Sequence, residues 1–88
     1  MFEIWETTPP ARRLGEAGTF DAAVEELDAE CGRRHAQAAA NGEGASQMRF
    51  RFEIREAGEI AAMLSWGPDL TRPYESVGAA MRGFGEAF

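Results

Sequence analysis

From Met48 to Arg55 the chain alternates without a break. Met48, Phe50, Phe52 and Ile54 interleave with Arg49, Arg51, Glu53 and Arg55. A period of two marks a β-strand with one face buried and the other wet. The whole run, Gln47–Glu56, therefore predicts a strand with its aromatics turned inward and three arginines on its outer side. Ala57-Gly58 follows as a tight turn, in which Gly58 can take the positive φ that a hairpin requires. The return strand is Ile60–Trp66. Ile60, Ala62, Leu64 and Trp66 fall on one face, and Ala61, Met63 and Ser65 on the other. Gly67-Pro68-Asp69 ends it.

The N-terminus repeats the pattern on a smaller scale. Phe2–Glu6 reads as a strand, with Phe2 and Ile4 on one side and Glu3 and Trp5 on the other. Thr7-Thr8-Pro9-Pro10 closes it, because proline removes donors and fixes the backbone. Arg12–Ala17 is a candidate return strand whose one large apolar residue is Leu14. Gly18 frees the chain to turn.

Between these strand pairs the period changes. Phe20, Val24, Leu27, Cys31 and His35 recur at steps of three and four, with Ala23 and Ala38 beside them, which predicts an amphipathic helix from Phe20 to about Ala40. Thr19 is its N-cap, and Asn41-Gly42 its stop. Asp21, Glu25, Glu26, Asp28 and Glu30 crowd the first half, and Arg33, Arg34 and His35 follow, an order that complements the helix dipole. Gly32 weakens the middle. Glu43–Ser46 reads as a polar loop.

After residue 70 the signal thins. Tyr74, Val77, Met81, Phe84 and Phe88 step by three and four and form an apolar seam, with Pro73 suited to a first helical turn. Gly78, Gly83 and Gly85 lower its helicity. The seam should order only by docking on its own sheet or on a second subunit, so a homodimer is one expectation.

These elements predict an α+β fold. It has a small antiparallel sheet of three to four strands in the order β-β-α-β-β, one amphipathic helix packed on one face, and a short C-terminal helix. Residues 1–70 are expected to form a single domain and residues 71–88 its tail. The β-α-β-β portion with an alternating Phe strand resembles RNA-recognition sheets. However, the run Arg49-Phe50-Arg51-Phe52-Glu53-Ile54 lacks the glycines of that motif, and its aromatics belong to the core face.

Composition narrows the function classes. The chain of 88 residues carries 15 acids against 9 bases, a net charge of −6, and every base is Arg. That balance argues against non-specific nucleic-acid binding and favours a partner with a basic surface. A single cysteine cannot form an internal disulfide. No signal-like segment opens the chain and no apolar run reaches membrane-spanning length, so the expected setting is cytoplasmic, with no membrane partner.

Candidate chemistry is sparse. Cys31 and His35 share a helical face at i, i+4, with Asp28 one turn back, but a structural zinc site needs four N/S ligands and nothing else supplies them. No acid/base set converges and no phosphate loop is present, so neither catalysis nor a cofactor is expected. Two surfaces remain. One is the acidic helix face of Asp21, Glu25, Glu26 and Asp28. The other is an open sheet face of Trp5, Arg49, Arg51 and Arg55, where an arginine beside a tryptophan forms a cation–π pair of the kind common at interface hot spots. The expectation is a small, acidic, non-enzymatic protein-binding module. Its profile resembles that of phage-encoded inhibitors such as anti-CRISPR proteins, and it would act on a basic or nucleic-acid-handling complex. The alternatives are a nucleic-acid-binding sheet using Arg49, Arg51 and Arg55, or an accessory subunit of an enzyme.

Overall fold

The structure, a computed structural model, describes residues 1–42 and 48–83. Strands β1 (Phe2–Glu6), β2 (Arg12–Ala17), β3 (Phe50–Glu56) and β4 (Glu59–Trp66) form one sheet in the order β2-β1-β3-β4, every neighbour antiparallel. Helix α1 (Phe20–Asn41) connects β2 to β3 across one face, and a short helix α2 (Gly78–Arg82) follows the sheet. The expected α+β architecture is the observed one.

Local chemistry sets the boundaries. Thr19 is extended, and its hydroxyl accepts from the Ala22 N–H at 3.1 Å, which satisfies one of the free donors of the first turn. Gly42 stops the helix at φ 83°, its N–H returning to Ala38 O. The β3–β4 hairpin turns through Ala57 (φ 52°) and Gly58 (φ 81°). Two successive positive φ angles are the two-residue turn whose twist matches the flanking strands.

The core lies between α1 and one face of the sheet. Ile4, Phe52, Ile54 and Ala62 from the strands meet Ala23, Val24, Leu27 and Cys31 from the helix, and Val77 and Met81 close the end. Phe50 and Phe52 lie beneath α1, on the covered side, so the likeness to RNA-recognition sheets does not extend to a face where aromatics could stack on bases.

Two β-bulges reset the expected alternation. In β2, Gly15 opposes Ile4 and Arg13 opposes Trp5, so Leu14 is the extra residue. In β4, Ala62 opposes Ile54 but Ile60 opposes Arg55, so Ala61 is extra. The second bulge corrects the sequence expectation. Ile60 does not share a face with Ala62, Leu64 and Trp66; it turns to the open side and is 48% exposed.

The start of β3 is a second correction. The ladder begins with Phe50 opposite Trp66, so Met48 and Arg49 precede the strand. Met48 is 50% exposed rather than core. Here the backbone passes close to Gly67, where a Cβ would stand 2.3 Å from Met48 O, so only glycine fits.

The tail docks on its own domain. Tyr74 is half-buried, and Val77 and Met81 are buried. Helix α2 is shorter than the seam suggests, and Pro73 and Tyr74 belong to an irregular approach, not to a first helical turn. Phe84 and Phe88 lie outside the described residues. Gly32 has a use: the Tyr74 ring packs over it, its Cε2 3.6 Å from where a Cβ would be. Among the described residues no helix is long and apolar enough to cross a membrane.

Candidate functional site

Among the described residues, three clusters of polar side chains tie separate elements of the fold together. The first lies on the covered side, between the end of β1 and the second half of α1. Glu6 continues the inward phase of Phe2 and Ile4, and Arg34 continues the inward helical phase of Leu27 and Cys31. Both are therefore polar residues at core positions, and they answer each other. Arg34 donates to Glu6 Oε1 and to Glu30 Oε2, each at 2.8 Å. Its guanidinium sits 4.6 Å from the Phe50 ring centroid and 5.1 Å from that of Phe52. Arg12 reaches Glu6 at 3.4 Å.

The cluster is nearly closed from water, with the Glu6 and Arg34 side chains 9% and 12% exposed. Hydrogen bonding from Arg34 holds the Glu6 carboxyl below its usual range, against the opposing effect of burial. For Glu30, burial pushes upward, but the hydrogen bonds from Arg34 and Arg33 outweigh it and the net direction is down. Both carboxylates are held ionised, with no proton to exchange near neutral pH. A cavity of about 350 Å³ opens beside the cluster, lined by Arg12, Gln37, Asn41, Met48 and Pro68 among others.

The second cluster joins the tail to the helix. Asp28 accepts from the Tyr74 hydroxyl, from Ser76 Oγ at 2.7 Å and from Val77 N at 3.1 Å. Burial pushes the Asp28 carboxyl up, yet these bonds prevail and its net shift is down. Tyr74 is raised well above its ordinary value by burial, and then by Asp28. His35 Nε2 lies 3.0 Å from Asp69 O and 3.2 Å from Arg72 O. Both partners are acceptors, so that nitrogen carries the proton. His35 thus fastens the loop after β4. Cys31, one turn back, is fully buried, and burial raises its thiol to about 12, leaving no thiolate at neutral pH. Among the described residues no group of three or more His, Cys, Asp or Glu could hold a metal ion.

The third cluster is on the open face, which no helix covers among the described residues. Arg55 Cζ stands 4.7 Å over the Trp5 ring, and Arg55 Nε donates to Glu53 Oε1 at 2.7 Å. Trp5 Nε1 donates to Glu3 at 2.9 Å. Arg13, opposite Trp5 on β2, pairs with Glu3 and Glu16. Ile60 is the residue opposite Arg55, and Met63, 49% exposed, is opposite Glu53. Arg51 is exposed on the same face and makes no ion pair among the described residues.

The structure thus brings Trp5 and Arg55 together, with Arg51 on their face, and sets Arg49 apart before the strand. It divides the acidic helix face. Asp21 bridges to Arg82 at 3.1 Å and Asp28 is committed to the tail, while Glu25 and Glu26 are exposed. Of the seam residues, Tyr74, Val77 and Met81 are used internally. Sequence reasoning missed the Glu6–Arg34–Glu30 cluster. The available signal was phase: Glu6 and Arg34 are the charged residues that fall on inward positions of otherwise apolar patterns. No protein-family model, curated protein or solved structure matches the chain.

Proposed function

We propose that the protein is a small non-enzymatic protein-binding module of the inhibitor type, which engages a partner with a basic surface through the open face of its sheet. One observation carries this reading: the half-buried Trp5–Arg55 stack lies on the open face beside exposed Ile60 and Met63. Tryptophan and arginine dominate interface hot spots, and here two apolar neighbours can exclude water around them. The net charge of −6 supplies long-range attraction to a basic partner, while the mixed charges of the face itself fix register.

Two observations weigh against a nucleic-acid-binding sheet. Arg55 is already neutralised by Glu53, and Arg49 stands off the strand, which leaves Arg51 as the unpaired cation of the stripe among the described residues.

The test is a partner captured on the immobilised protein after nuclease treatment, identified, purified and titrated against the parent and variants. Trp5→Ala should weaken binding by roughly thirtyfold or more, the scale of a hot spot. Glu25→Arg with Glu26→Arg should slow association and flatten its salt dependence by a smaller factor. Asp28 is left intact because its reversal would undock the tail. Affinity unchanged by Trp5→Ala, but lost in the double reversal, would move the binding surface to the helix.

A further inference from the structure

β4 is a sheet edge. It pairs with β3, and among the described residues no other segment hydrogen-bonds to its backbone. The direction of its backbone groups follows from its neighbour. Arg51 O accepts from Thr7 N, and Arg51 N donates to Thr8 Oγ1, both at 2.8 Å and both on the β1 side. Backbone groups alternate sides along a strand. Those of Phe52 and Ile54 therefore point to β4 and meet Leu64 and Ala62, their opposite residues. By the same alternation, the N–H and C=O groups of Met63 and Ser65 point away from the sheet.

The other edge is blunted and this one is not. β2 presents Arg12, Arg13 and Glu16, charges of the kind that keep edges from pairing. From Ile60 to Trp66, β4 carries no charge, although the chain has a net charge of −6. The bulge at Ala61 disturbs the start of β4 and leaves Ala62–Trp66 in regular register.

We propose that β4 pairs antiparallel with β4 of a second copy of this chain, joining two four-stranded sheets into one. It does not rest on the partner-binding role above. A two-fold axis brings an antiparallel edge against itself, so the outward donors and acceptors of one copy meet those of the other. With Leu64 on the axis, Met63 opposes Ser65 of the second copy and Ser65 opposes its Met63, each pair exchanging both N–H···O bonds. The side chains that meet are neutral. That favours a second copy: the two-fold makes the edge its own complement, and it puts no like charges in register where two chains of the same net charge of −6 meet. A strand contact of this length buries less than the roughly 1,200–2,000 Å² of stable interfaces, so association is weak and rises with concentration.

Sedimentation equilibrium and amide hydrogen exchange on the full chain test this. The parent should pass from monomer to dimer as concentration rises. The Met63 and Ser65 amides should become protected with it, while those of Ala62 and Leu64, bonded to β3, stay protected throughout. Met63→Lys should leave a monomer with the parent's melting temperature and fast exchange at Ser65. Ser65→Pro should do the same by removing an outward N–H that the β3 ladder does not use. If the proline variant fails to fold, Met63→Lys decides alone. A parent that stays monomeric at its solubility limit overturns the proposal. So does a dimer that survives Met63→Lys, or one whose Met63 and Ser65 amides exchange freely.

Discussion

On the covered face of the sheet Ile4, Phe52, Ile54 and Ala62 are at most 2% exposed, while on the open face Ile60 and Met63 stand at 48% and 49%. Both faces also carry an arginine bonded to a glutamate and stacked on an aromatic ring. The covered pair, Arg34 with Glu6, is about a tenth exposed; on the open face Arg55 is 30% exposed and its partner Glu53 14%. The same chemical unit thus sits in two dielectric settings. Under the helix, water reaches the pair only through the cavity beside it and replaces a lost partner incompletely, so the unit bears mainly on folding. On the open side water replaces it more fully, so the unit contributes little to stability and is available for recognition.

Truncation should separate the faces most sharply. Phe52→Ala should cost about 3–5 kcal/mol, since a large buried ring leaves a cavity that neighbours refill only in part. Met63→Ala, on the other face, should stay within about 0.5 kcal/mol of the parent. Urea denaturation measures both. Similar midpoints for the two variants would mean that the faces are not distinguished as described.

Charge removal should separate them next. Glu6→Gln keeps the shape and an acceptor oxygen but leaves Glu30 as the one carboxylate bonded to Arg34, and should cost roughly 1.5–3 kcal/mol, the scale of a hydrogen bond to a charged group. The linked pH effect has a definite sign. The Glu6 carboxyl is held below its ordinary 4.5 in the folded state, chiefly by the Arg34 hydrogen bond, so its contribution is full above that value and is lost as pH falls through the folded value. Glu30 and Asp28 are shifted in the same direction. Parent stability should therefore decline on acidification below about 4.5, and the Glu6→Gln slope in that window should be shallower. Parallel slopes would remove Glu6 from the acid transition.

Much of this contrast is legible in the residues. The alternation of Phe50, Phe52 and Ile54 against Arg51, Glu53 and Arg55 assigns both faces of β3, and Phe2, Ile4 against Glu3, Trp5 does so for β1. Together they put Trp5 on the same side as the arginines once β1 joins the sheet. The Thr19 cap and Gly42 stop are equally local and equally readable. What escapes is nonlocal. The bulge at Ala61 has no residue signature, because Ile60-Ala61-Ala62 alternates as well in one register as in another, and pairing with β3 alone selects the one that turns Ile60 outward. Asp28 looks like one more surface acid until the tail, 46 residues away at Tyr74, folds back onto it. Glu6 and Arg34 each look like a defect in an apolar pattern; only their meeting across the core makes them a pair.

The smallest expected effect is the one that best tests the open face. Arg55→Gln removes the cation from above Trp5 and its bond to Glu53, yet leaves a side chain long enough to cover part of the ring. An exposed cation–π contact contributes about 0.5–1 kcal/mol, and a partly solvated ion pair a similar amount or less. The melting temperature should fall by only a few degrees, while the fluorescence of Trp5, with Trp66→Phe as background to isolate it, shifts as its ring becomes more accessible. Affinity for the partner should fall more than stability does, because complex formation would bury the stack and strip the water that masks its strength. A loss of stability comparable to that of Glu6→Gln would show that the open face is braced as firmly as the covered one. An unmoved affinity would show that Trp5 acts without its arginine.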